Sequence, residues 1–251
     1  MTTSNTNKIL VFFVLTFLFS LLITEIQHFY KLFEHLNLAL LAPGVVGILL
    51  ILYYEEPGSN RFFWERRILP SVKPTFIQII IALLPIIIIP LSFYLYKTLY
   101  NPYIETSKIE LSYLLWPIIG IFFEELGWRG YLQHRSGTFI HLFIATMLTG
   151  FFWFFVQYEI YLSDPFYGVI TLIIYLSFSF ILAYLFYTSN RNIILGYIFR
   201  LSHTIIALIF ISEVINDISF MFIMAPLYLI AAIIIVVLNK KLFQIDTKGD
   251  L

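Results

Sequence analysis

Eight stretches of mostly apolar residues follow one another along this chain, at 9–29, 36–54, 75–96, 111–133, 139–158, 166–187, 193–212 and 218–238. A segment of about 20 such residues is what a helix needs to cross a bilayer. Hydrophobic residues make up 60% of the sequence and charged residues only 12%, far from the balance of a soluble domain. The expected fold is therefore all-α, a polytopic membrane protein of about eight transmembrane helices in one bundle. The connecting segments are short and no internal repeat is evident, so residues 1–251 read as a single domain. Pro85 and Pro90 should kink the third span, and Pro43-Gly44 marks a further irregularity in the second.

Charge excludes some partners and sets an orientation. Fifteen basic residues balance fifteen acidic ones, which speaks against a nucleic-acid partner. The absence of cysteine removes disulfides, thiolate nucleophiles, thiolate metal sites and a C-terminal lipidation box. Residues 1–7 carry no basic side chain and the apolar run after Lys8 is too long for a leader's core, so it reads as the first membrane helix. With a cytoplasmic N-terminus, the inner side holds Lys8, Arg61, Arg66, Arg67, Lys73, Arg129, Arg135, Arg191, Lys240, Lys241 and Lys248. The outer side holds Lys31, Lys97 and Lys108. That asymmetry follows the positive-inside rule and places both termini in the cytoplasm. Residues 60–69 mix Phe62, Phe63, Trp64 and Ile68 with Arg61, Arg66 and Arg67, which suits either a short helix on the inner leaflet or a basic loop.

The chemistry is concentrated in the fourth span. The apolar run 111–123 leads into Glu124-Glu125-Leu126-Gly127-Trp128-Arg129-Gly130-Tyr131-Leu132. Carboxylates at bilayer depth cost several kcal/mol each and mark functional positions. In an α-helix Glu125 and Arg129, four residues apart, share a face, while Glu124 turns about 100° away. Taken alone, Glu125 and Arg129 read equally as a structural ion pair. That reading leaves Glu124 unexplained, because the residue four positions on is Trp128.

The string Glu124 to Leu132 resembles the first motif, E-E-x-x-x-R, of the CPBP family, the CAAX-processing and bacteriocin-processing (Abi) intramembrane glutamic endopeptidases. The likeness includes Trp before the arginine and Gly-Tyr-Leu after it, and covers residues 110–212, the family's catalytic-type core. The family's second motif is an aromatic residue followed four positions later by His. Here Trp153 takes the aromatic position and Gln157 stands where the His would be. The third motif is His-x-x-x-Asn, and the matching positions hold Arg200 and Thr204, with His203 three residues out of register.

The resemblance implies a metal-free, cofactor-free hydrolysis of peptide bonds in membrane-associated, prenylated or leader peptides, in the plasma membrane of a prokaryote. Glu124 would act as general base, with Glu125 and Arg129 bracing the site. Gln157 would orient the water, and Arg200 and Thr204 would donate to the oxyanion. Gln157 can hold a water but cannot take its proton. The replaced histidines therefore keep a second class of function open: a catalytically degenerate membrane protein that binds, scaffolds or confers bacteriocin immunity. In that case Arg200 needs a counter-charge within the membrane, and Glu124 or Glu125 would supply it as a polar clasp between helices. A proton-coupled transporter is a third possibility. Lipids and a peptide or lipidated protein are the expected partners. No H-E-x-x-H pair, phosphate loop or Ser/His/Asp set is visible, and His28 and His35 read as interfacial residues.

Overall fold

The structure, a computed structural model, describes residues 5–30, 37–54, 68, 73–101, 103–104, 112–157, 164–211 and 217–243. Among them every regular element is helical. In chain order these are α1 (Asn5–Tyr30), a 3₁₀ turn (Leu38–Leu41) leading into α2 (Ala42–Tyr54), α3 (Phe76–Ala82), α4 (Pro85–Leu99) and α5 (Ser112–Glu125). Next come a π-helical segment (Leu126–Gln133) with a helical turn after it (His134–Ser136), α6 (Leu142–Val156), α7 (Pro165–Thr188), α8 (Ile194–Ile211), α9 (Ile218–Leu238) and a last turn (Lys240–Phe243). Each of the eight apolar stretches thus contains a helix. Three of the helices, α1, α7 and α9, are long and apolar enough to cross a membrane, and the bent pair α3–α4 makes a fourth. The segments Leu38–Tyr54, Leu142–Val156 and Ile194–Phe210 form shorter apolar helices. The basic stretch 60–69 lies outside the described residues, apart from Ile68.

Local chemistry sets the helix ends. Asp164 caps α7 by accepting from the Phe166 and Tyr167 amides, and Pro165 occupies the first turn, where its missing N–H costs nothing. Thr75 and Gln78 form a reciprocal capping box on α3. The expected kink in the third span falls at Leu83 and Leu84, just before Pro85, where α3 and α4 meet at 41°. Pro90 lies within α4. The irregularity foreseen at Pro43-Gly44 sits just upstream, in the 3₁₀ turn, because Pro43 is in the first turn of α2 and fits there.

The core forms around α7. This helix packs against α6 on one side and α9 on the other, and two thirds of its most apolar window is buried. Phe178, Ile181, Leu182 and Leu185 of α7, Phe199 of α8 and Tyr228 of α9 pack in one continuous cluster. Helix α8 lies against α4 and α5, and α2 lies against the π-helical segment. That last crossing is a backbone contact. A Cβ on Gly127 would collide with the Pro43 carbonyl, and one on Gly44 would collide with the Phe123 carbonyl. Close approach of this kind is how small residues hold helices together in lipid.

Tyr96 of α4 donates to Asp217, which caps α9 by accepting from Ser219 N. The Tyr96 hydroxyl is the main reason that the Asp217 carboxyl titrates below its ordinary value. A depressed folded-state pKa supplies stability that is present above the unfolded value and lost as pH falls through the folded one. Tyr96→Phe should therefore cost about 1 kcal/mol near neutral pH. It should also flatten the acid limb of a stability–pH curve, as thermal unfolding of the purified protein in detergent would show.

Candidate functional site

Glu124 and Glu125 end α5, and the chain then winds as a π-helix from Leu126 to Gln133. A π-turn pairs residue i with i+5 and recurs at functional positions. It also places more residues in each turn, so Arg129 falls short of a full turn from Glu125. The Arg129 Nε–Glu125 Oε2 separation is 3.8 Å, an ion pair without a hydrogen bond. Both side chains are completely buried.

Glu124 points elsewhere in the bundle and is also buried, with 1% of its surface exposed. Its Oε1 accepts from the Trp153 indole N–H of α6 at 2.9 Å. Its Oε2 accepts from Arg200 Nη2 of α8 at 2.8 Å. Both oxygens of the carboxylate are thus held by donors from two other helices.

Trp153 organises the cluster. The Arg200 guanidinium lies over its ring at 4.4 Å from the centroid, and the Arg129 guanidinium lies over the same ring at 4.8 Å. An indole is the best aromatic partner for a cation. Its own orientation is fixed by the bond to Glu124 and by an edge contact with Tyr175, with ring centroids 4.7 Å apart. Glu124, Arg129 and Arg200 thus meet at one aromatic plane, and Glu125 joins them through Arg129, two acids against two arginines. Charges taken out of water are tolerated only with such pairing.

Gly196, in the first turn of α8, makes room for Glu125. A Cβ there would stand 3.0 Å from Glu125 Oε2, tighter than ordinary packing allows. Sequence reasoning singled out neither Gly196 nor the double role of Trp153. The only signal was Trp153's place in the aromatic motif position; nothing in the sequence marks Gly196.

Of the six candidate residues, Glu124, Glu125, Arg129 and Arg200 come together around Trp153. Gln157 is the residue at which α6 stops, one turn beyond Trp153, with φ −91° and ψ 48°. Its half-buried side chain makes no hydrogen bond among the described residues. Thr204 follows Arg200 by one turn on α8, and its hydroxyl likewise has no partner among the described residues. His203 turns away from the acids; its Nδ1 meets the Tyr228 hydroxyl at 2.9 Å and its ring packs on Phe178. Among the described residues no three His, Cys, Asp or Glu side chains converge as a metal site would require.

The chain is similar to lysostaphin resistance protein A of Staphylococcus aureus, strains Newman and USA300, with 26% identity over 226 residues. The match takes in 83% of this chain and 51% of the relative, so the chain spans about half the length of the curated relatives it matches. Residues 106–216, which contain all six candidate residues, match the family described as type II CAAX prenyl endopeptidase Rce1-like. With the E-E-x-x-x-R string in place on α5 and its continuation, residues 106–216 carry the likeness to the Rce1-like type II CAAX prenyl endopeptidase family, within CPBP.

Proposed function

We propose that this protein is a non-hydrolytic member of its family, a membrane-embedded binding or scaffolding factor that keeps the old catalytic cluster as a clasp between helices. The observation that carries this reading is the engagement of both Glu124 oxygens, one by Trp153 and one by Arg200. A general base needs a free lone pair within reach of the water that it deprotonates. Here Arg200, at a position where the family has a histidine, holds one oxygen of that carboxylate through a charge-assisted bond with which a water would have to compete. Gln157, at the other histidine position, cannot accept a proton. The names of the Staphylococcus aureus relatives describe resistance to lysostaphin rather than peptide cleavage, and a binding role is compatible with that. The partner would be a peptide or lipidated protein presented at the membrane, with lipid around the bundle.

The reading places eight spans in the plasma membrane of a bacterium, with both termini in the cytoplasm. The shorter apolar helices α2, α6 and α8 would cross it alongside the four longer ones, and α5 with its π-helical continuation would make the eighth. A chain without native cysteine makes this directly testable. Thr138→Cys should react with an impermeant thiol reagent only from the cytoplasmic side, and Asp164→Cys only from outside. Labelling of both from one side would refute the topology.

One observation favours a second reading, a pared-down endopeptidase. The Glu125 and Arg129 side chains are fully buried without hydrogen bonds, an expense that a purely structural clasp does not require. In that reading Glu124 is the base, Gln157 holds the water, and Arg200 and Thr204 face the oxyanion. One assay separates the two. Purified protein in lipid is incubated with a prenylated CAAX peptide and with a leader peptide, and products are read by mass spectrometry. The clasp predicts no cleavage above that of Glu124→Gln. Cleavage by the wild type that disappears in Glu124→Gln would overturn it.

A further inference from the structure

Glu125 and Arg129 hold more unpaired polar atoms than any other part of the bundle that the structure describes. Both carboxylate oxygens of Glu125 and all three guanidinium nitrogens of Arg129 lack a hydrogen-bond partner among the described residues. Neither side chain is exposed. A buried polar group left unmatched typically costs about 1–3 kcal/mol, and more when charged. Five such atoms in one place are not a side effect of packing. The two groups face each other at 3.8 Å, too far for a direct hydrogen bond and in the range where an intervening molecule should be sought.

We infer that Glu125, Arg129 and the first turn of α8 form a binding site for a buried water molecule, which accepts from the Arg129 guanidinium and donates to the Glu125 carboxylate. The charges select the ligand. A cation would be repelled by Arg129 and an anion by Glu125, whereas a small neutral molecule that both donates and accepts suits the pair. Buried waters characteristically make about three bonds to polar groups that would otherwise be unmatched. Gly196 borders the same oxygen: a Cβ on that turn of α8 would stand 3.0 Å from Glu125 Oε2, so a side chain there would compete with a water for the position. The Arg129 face over Trp153 is already covered by the indole, so the free nitrogens can only be served from the ring's periphery.

This site is separate from Glu124, each of whose oxygens accepts a donor from the protein. It stands whether or not Glu124 can act as a base. It gives the E-E-x-x-x-R string a division of labour: the first acid is bonded directly by protein, and the second is solvated through water. It also accounts for the π-winding, which draws Arg129 back from Glu125 by just enough to admit a third party.

The test is a crystal structure of the full chain in lipid, at a resolution that shows ordered water. The expected result is a density peak within about 3.2 Å of both a Glu125 oxygen and an Arg129 nitrogen. In Gly196→Ala the peak should vanish, and the melting temperature should fall by about 2–4 °C. A direct Glu125–Arg129 hydrogen bond with no peak would overturn the inference, as would coordination at metal–ligand distances or a peak unchanged in Gly196→Ala. If Gly196→Ala does not fold, the variant Glu125→Leu/Arg129→Met replaces it. Swapping a buried ion pair for apolar groups of similar size is commonly tolerated. Infrared spectra in ordinary and ¹⁸O-labelled water should then show an isotope-sensitive band in the wild type that the double variant lacks. An identical band in both would likewise refute the site.

Discussion

Arg200→Leu should destabilise the bundle by about 3–5 kcal/mol, the cost typical of stranding one partner of a buried ion pair. The carboxylate left behind is 99% hidden and would retain only the Trp153 N–H as a donor. No described side chain replaces the 2.8 Å contact that Arg200 makes. Chemical unfolding of the purified protein in detergent would measure the loss. Arg200→Lys should recover only part of it, because an ammonium can pair with Glu124 but has no planar fork to lie over the indole at 4.4 Å. A loss below about 1 kcal/mol for Arg200→Leu would mean that Glu124 is solvated rather than clasped.

Trp153→Ala is expected to cost a similar amount, about 3–5 kcal/mol, but for a different reason. The substitution opens a cavity at a fully buried position in the core cluster. It also removes the donor to Glu124 and the surface on which two guanidinium groups rest. Trp153→Phe separates these contributions. It keeps a ring for the arginines but leaves Glu124 Oε1 without its donor, at a cost of about 1–3 kcal/mol. If Trp153→Phe were as damaging as Trp153→Ala, the hydrogen bond rather than the ring would be the organising element. If it were silent, the Glu124–Trp153 bond would contribute nothing.

Much of the fold was legible because membrane helices leave the strongest pattern that a chain can carry. The apolar stretches predict a helix in each place where the structure has one, and Pro85 marks the bend between α3 and α4. The winding of each stretch was not legible. Apolar composition looks the same whether a segment is a full span, a shorter helix such as α6, or the π-helical continuation of α5. The π-winding also defeats the simple α-helical argument for Glu125 and Arg129. Four residues no longer make a turn, and the pair sits at 3.8 Å instead of bonding.

The site was partly legible for a related reason. Arg200 had to find a counter-charge inside an apolar bundle, so its pairing with one of the two acids could be anticipated from the cost of leaving it alone. Which acid it takes is decided by the rotation of α5 against α8, and that depends on backbone contacts no periodicity reveals. The packing of Gly127 on Pro43 and the space left by Gly196 are two of these. Gln157 and Thr204 were placed by motif register alone. Gln157 falls where α6 ends, so its side chain is not carried by a helical turn. Thr204 shares a helix with Arg200 but has nothing to bond within the described residues.

The most direct test of the clasp is a double-mutant cycle on Glu124 and Arg200. Stabilities are measured for Glu124→Leu, Arg200→Leu and the two together, all in the same lipid or detergent. The clasp predicts that the double variant is more stable than Arg200→Leu alone, with the single-site losses failing to add by well over 1 kcal/mol. Losses that add to within about 0.5 kcal/mol would show two independent sites, and Glu124 would then have to be read as an unpaired acid free for proton chemistry.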